Sequence, residues 1–143
     1  MTERRGTVRR IDQEMATAAA DALPRNVSKD LRTRYRQLRS MLNTAGLAAS
    51  YAFIASKAGD PDGGDSLKAA YGRVALALIE RLAGLDLLTG EASSLSVRDV
   101  MRQLGEMDPV RYARASAEAA ALVGWLARLA DAVVAEEGGN GGV

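Results

Sequence analysis

Five cationic side chains near the start of the chain are spaced for one side of an α-helix. They are Arg25, Lys29, Arg32, Arg36 and Arg39, at successive spacings of 4, 3, 4 and 3 residues. Residues three and four apart lie on the same side of a helix, so this spacing aligns the charges in a row. Guanidinium and ammonium groups in such a row pair with phosphates. The pattern therefore indicates a surface that binds a polyanion.

The helix that must position these charges also carries an apolar row. Its members are Leu31, Tyr35, Leu38, Leu42 and Ala45. At about 100° per residue, the cationic row lies roughly a quarter turn or slightly more from the apolar row. We therefore expect a helix over residues 28–45 that docks on a core and leaves its cations facing outward.

Two other interpretations of the cationic row remain open, a solvated helix face and a protein interface. Most solvated faces mix both signs of charge, whereas Asp30 is the only acid between Pro24 and Gly59. Charge is also uneven along the whole chain. Residues 1–39 hold ten Lys or Arg against five Asp or Glu, while residues 40–143 hold nine against thirteen. A cationic end of this kind predicts an anionic partner, either nucleic acid or an acidic protein surface.

The composition disfavours catalysis. The chain has no Cys and no His, so it lacks thiolate chemistry, the commonest general base and the commonest metal ligand. Asp60, Asp62 and Asp65 resemble a calcium loop, but Tyr71 stands at the twelfth position where that loop needs Glu. We expect an ordinary polar loop there, with no metal, no cofactor and no enzyme activity. No signal peptide or membrane span is evident, which favours a cytoplasmic protein.

The apolar periodicity predicts an all-α fold, a compact bundle of five to six helices without a β-sheet. The expected helices cover about residues 9–23, 28–45, 47–58, 67–85 and 96–104, with a last one that starts at Pro109. Asp108 is expected to cap that helix, and Ser96 with Asp99 has capping-box spacing. We expect one domain over residues 1–143, with flexible ends at 1–8 and 138–143.

Trp125, the only Trp, is flanked in helical projection by Arg111, Arg114, Glu118 and Arg128. One interpretation is an aromatic residue at the edge of the core. The other is an anchor for a subunit interface, since Trp and Arg dominate such contacts. We carry Arg111, Arg114, Trp125 and Arg128 forward as candidate interface residues.

The last helix also carries a family resemblance. The run Asp108-Pro109-Val110-Arg111-Tyr112, then Glu118-Ala119, then Trp125-Leu126-Ala127-Arg128 resembles the C-terminal signature of the small subunit of the Cmr-type (type III-B) CRISPR effector ribonucleoprotein. Tyr35-Arg36, Gly46-Leu47, Ala52-Phe53 and Ser56-Lys57 follow in that family's order. One departure is Ala45, which stands where the family often has Asn, and it affects only the local turn or cap at Gly46.

The resemblance implies a non-catalytic helical subunit of an antiviral ribonucleoprotein. Several copies would stack beside larger backbone subunits and offer a basic surface to the guide RNA and target RNA. It adds Lys57 to the candidate RNA-binding residues Arg25, Lys29, Arg32, Arg36 and Arg39. The alternatives are a helical DNA-binding regulator and a protein-interaction module with an acidic partner.

Overall fold

The fold is a bundle of helices, described by a computed structural model over residues 2–141, with side chains described for residues 12–137. Six α-helices follow one another: α1 Thr2–Ala22, α2 Lys29–Ala45, α3 Leu47–Lys57, α4 Leu67–Gly84, α5 Val97–Glu106 and α6 Pro109–Gly141. A short 3₁₀ turn at Ala92–Ser94 precedes α5, and no strand occurs in the described range. The all-α prediction is confirmed.

Two helix ends differ from the sequence prediction. α1 begins at Thr2 rather than near Arg9, and α6 continues to Gly141. Residues 1–8 and 138–143 were expected to be flexible. Met1 and residues 142–143 lie outside the described part of the chain, and the side chains of the others are not described. Their flexibility stays a prediction.

Side-chain caps fix where α5 and α6 begin, as the sequence indicated. The Asp108 carboxylate accepts a hydrogen bond from the Arg111 backbone N–H at 2.8 Å. Ser96 and Asp99 form the expected capping box, with both hydrogen bonds at 3.0 Å. These bonds from Ser96, the backbone N–H first, hold the pKa of the Asp99 carboxyl below its ordinary value. The cap is therefore formed in neutral solution and is lost as acid protonates the carboxyl.

The core is centred on α6. Its inward residues Ala115, Ala119, Leu122 and Leu126 are buried, and α2 packs against this helix more extensively than any other element does. The buried surface of α6 is wider than one apolar row, because α1 and α4 pack on it as well. Val123 and Ala127 are therefore buried too, whereas Leu129 and Val133 are only half-buried.

α2 docks on this core as predicted. Leu31, Tyr35, Leu38 and Leu42 are buried. Ala45, the last member of the predicted row, is exposed, because α2 ends there and the chain turns at Gly46. The apolar row therefore stops one step short of the prediction.

The turn between α2 and α3 consists of Gly46 alone and is capped from a distance. Gly46 has a φ of +93°, in the region that favours glycine, and it provides no side-chain cap to α3. Instead, the Tyr112 hydroxyl on α6 accepts a hydrogen bond from the Ala48 backbone N–H at 3.0 Å. This contact replaces a local cap at the start of α3.

Changing Tyr112→Phe should therefore lower the free energy of unfolding by about 1 kcal/mol, because the part-buried Ala48 N–H loses its acceptor. Thermal unfolding followed by circular dichroism should show a decrease in Tm of about 3–5 °C. Tyr35→Phe is the matched control, because the buried Tyr35 hydroxyl has no hydrogen-bond partner among the described residues. Equal melting of both variants would contradict the assigned cap.

Candidate nucleic-acid interface

Four of the five predicted cations lie on α2, along a surface that we call the α2 cationic face. It consists of Lys29, Arg32, Arg36 and Arg39. Ser28 caps the helix by accepting a hydrogen bond from the Leu31 N–H at 3.0 Å, so α2 cannot include the residues before it. Arg25 therefore lies in the linker after α1, exposed, and the prediction of a continuous five-residue helical row is corrected to four residues plus a flanking cation.

Two members of the face are paired with an acid on α6. A terminal nitrogen of Arg36 donates to the Asp131 carboxylate at 2.6 Å. The Arg32 Nε lies 3.9 Å from the same oxygen, Oδ1. All three side chains are only partly covered, with 48% of Arg36, 27% of Arg32 and 43% of Asp131 exposed. One carboxylate thus sits between two guanidinium groups at the edge of the α2–α6 contact.

The remaining members carry uncompensated charge. Lys29, Arg39 and the flanking Arg25 are exposed and form no ion pair within the described part of the chain. Arg34, a neighbour on α2, pairs with Asp30 one turn earlier at 3.5 Å. Of the five cations predicted from the spacing, Arg25, Lys29 and Arg39 therefore remain unpaired within the described part of the chain.

Lys57 lies apart from this surface. It ends α3, about 15 Å along that helix from the junction with α2. Its ammonium group lies 5.8 Å from the centre of the Phe53 ring, a cation–π distance. Lys57 is exposed, so its charge faces solvent while its position is held by the aromatic ring.

The residues around Trp125 divide into two groups. Trp125 is half-buried and packs against the core, while Arg114 and Arg128 are exposed without an ion pair among the described residues. Arg111 instead donates to the backbone carbonyls of Asp86 and Leu87, at 2.8 and 3.4 Å. Arg111 therefore has a role within the chain, where it holds the backbone that follows α4.

A partly buried ionic network joins three helices, α1, α4 and α6, on the other flank of α6. The Arg81 Nε donates to Glu118 at 3.1 Å, and a terminal nitrogen donates to Glu14 at 3.3 Å. The Arg81 side chain is only 12% exposed. Glu118 and Asp131 lie about 140° apart around α6, so ion pairs hold α4 and α2 on different sides of that helix, and α1 is joined to α4 through Glu14.

In the described residues, no three His, Cys, Asp or Glu side chains come together as a metal site would require. Among the helices described there, none combines the length and the apolar character that crossing a bilayer requires.

A protein-family model described as CRISPR-associated protein (Cas_Cmr5) matches residues 9–133. The chain belongs to the Cas_Cmr5 family.

Membership of the Cas_Cmr5 family confirms the resemblance read from the sequence. The family is that of the small subunit of type III-B CRISPR effector complexes, so the chain is a subunit of a Cmr-type complex. The matched segment contains the whole α2 cationic face, Asp131 and Trp125. Comparison with curated proteins and with solved structures gave no match.

Asp131 is the residue that sequence reasoning missed within this Cas_Cmr5 subunit. It lies 95 positions from Arg36, beyond the reach of any helical spacing rule. One signal was available. Between Glu118 and Glu136 it is the only acid, in a segment otherwise dominated by small and apolar residues. An isolated carboxylate in such a segment is a candidate partner for a cation on a neighbouring helix.

Proposed function

We propose that this Cas_Cmr5 subunit is a non-catalytic structural subunit that lines the RNA path of its effector complex. The observation that carries this proposal is the exposed charge at Arg25, Lys29 and Arg39, unpaired within the described residues, on and beside the helix that packs most extensively against α6. Arg32 and Arg36 extend the same candidate RNA-binding surface, and Lys57 would add a separate phosphate contact at the end of α3. The absence of Cys and His from the sequence is in keeping with a non-catalytic role.

Contacts of this type are made to phosphates, so they would hold guide RNA and target RNA without reading bases. Trp125, Arg114 and Arg128 would contact neighbouring subunits, either larger backbone subunits or further copies of this chain. A single copy would bind RNA weakly, and several copies side by side would bind it with useful avidity. The proposed contribution to antiviral defence is therefore stabilisation of the assembled ribonucleoprotein.

Neutralising the free cations tests the proposal directly. For three phosphate contacts to single-stranded RNA, the logarithm of the binding constant should fall with the logarithm of salt concentration at a slope of roughly −2. Lys29→Gln with Arg39→Gln leaves Arg25 alone and should reduce the slope to roughly −0.7. Fluorescence anisotropy with a labelled single-stranded RNA over a salt series measures both slopes. Neither residue makes a hydrogen bond or ion pair through its side chain in the described part, so Tm should not change.

The matched control is Arg98→Gln with Arg102→Gln, which removes two exposed cations from α5 and changes the net charge by the same amount. It should bind RNA with nearly wild-type affinity and slope. Equal losses in the two double variants would mean that net charge, and not the α2 cationic face, determines binding. In the complex purified with its guide RNA, the α2 variant should keep its partner subunits and lose affinity for target RNA; unchanged target affinity would contradict the proposal.

A further inference from the structure

The Asp131 carboxylate occupies the position where two guanidinium groups of the α2 cationic face converge. Its Oδ1 lies 2.6 Å from the Arg36 terminal nitrogen and 3.9 Å from the Arg32 Nε. A phosphate oxygen recognised by both arginines would take the same place, since carboxylates and phosphates are alternative partners for the guanidinium group. The carboxylate thus occupies the place that such a phosphate oxygen would take.

We propose that Asp131 is an intramolecular counter-ion that withholds Arg32 and Arg36 from RNA until a phosphate displaces it. This inference rests on the proposed RNA-binding function and assigns a second, conditional part to the same surface. Arg25, Lys29 and Arg39 form the part that is always available. Arg32 and Arg36 form the part that becomes available only when the Asp131 carboxylate moves away.

The exposure of the ion pair makes displacement feasible. With 43% of Asp131 and 48% of Arg36 open to solvent, water and salt screen the pair, and exposed pairs of this kind contribute little to stability. A phosphate can therefore replace the carboxylate without disrupting the core. The Arg32 Nε is shielded from solvent and has no hydrogen-bond partner among the described residues, so this guanidinium is not fully satisfied by Asp131.

Asp131→Asn tests the inference, because it removes the charge and keeps the size of the side chain. With five cations available instead of three, the salt slope for single-stranded RNA should steepen from roughly −2 to roughly −3.5. The dissociation constant at low salt should fall by about three- to tenfold. Glu136→Gln is the control, since it removes one acid from exposed α6 surface without an ion pair in the described residues. It should leave the slope unchanged.

Three outcomes overturn the inference. An unchanged slope in Asp131→Asn means that Arg32 and Arg36 are already available, and weaker binding means that Asp131 orients them for RNA. Equal tightening in Glu136→Gln means that only net charge matters. The same titrations with inorganic polyphosphate separate this inference from the proposed function. A steeper slope for Asp131→Asn on polyphosphate, with no RNA binding by the chain or its complex, would support the counter-ion and reject the RNA role.

Discussion

Gly72→Ala is expected to lower the free energy of unfolding by about 2–3 kcal/mol and Tm by roughly 10 °C. Gly72 lies within α4, where alanine would ordinarily stabilise the helix by about 1 kcal/mol. At this position a Cβ atom would stand 2.2 Å from the Gly59 carbonyl oxygen and 3.3 Å from the Pro61 nitrogen. Both neighbours are backbone atoms, so the loop must shift as a whole and the steric cost exceeds the helical gain.

Gly84→Ala provides the control within the same helix. Gly84 is the last residue of α4, and a Cβ atom there would have nothing within 4 Å. The Tm of the Gly84→Ala variant should be unchanged or slightly higher than that of the wild type. Thermal and urea unfolding of both variants would measure the difference. A Gly72→Ala protein as stable as wild type would show that residues 58–66 can leave α4 without cost.

The second large effect is expected from Arg81→Leu, with a loss of about 2–3 kcal/mol in the free energy of unfolding. Arg81 bonds to both Glu118 and Glu14, and the Glu118 side chain is only 20% exposed. Without Arg81, the Glu118 carboxylate is left desolvated and unpaired. The free-energy cost of leaving that carboxylate without a partner, more than the loss of the ion pair itself, determines the decrease in stability.

A double variant distinguishes these two contributions. Arg81→Leu with Glu118→Leu removes both charges and should recover most of the lost stability, because replacing a shielded pair by apolar side chains is often close to neutral. Arg34→Leu is the comparison at an exposed pair, where Asp30 is 65% exposed, and should cost at most about 0.5 kcal/mol. Urea unfolding measures all three. A double variant no more stable than Arg81→Leu would contradict this account.

Local signals in the sequence were sufficient for the helices and for most of the cationic face. Asp108 before Pro109 and the Ser96–Asp99 spacing predicted two helix starts that the structure confirms, because a cap is made by residues within one turn. The row on α2 was predictable for the same reason. Arg25 was assigned to it wrongly, since spacing alone does not register that the Ser28 cap excludes earlier residues from the helix.

Two contacts that the sequence did not predict join residues far apart in the chain. Asp131 with Arg36 and Tyr112 with Ala48 are separated by 95 and 64 positions. Each depends on how two helices are rotated about their axes when they pack, which periodicity in a single helix does not determine. The sequence therefore predicted which side chains are cationic, but not which of them are already neutralised.

Residues 58–66 join α3 to α4 and have the composition of a tolerant surface loop. The structure instead fastens this segment at both ends. The Gly59 N–H donates to the Lys68 carbonyl at 2.8 Å, a terminal nitrogen of Arg73 donates to the Gly64 carbonyl, and Gly72 allows the backbones to touch. A peptide tag or fluorescent protein inserted into residues 58–66 would strain α4.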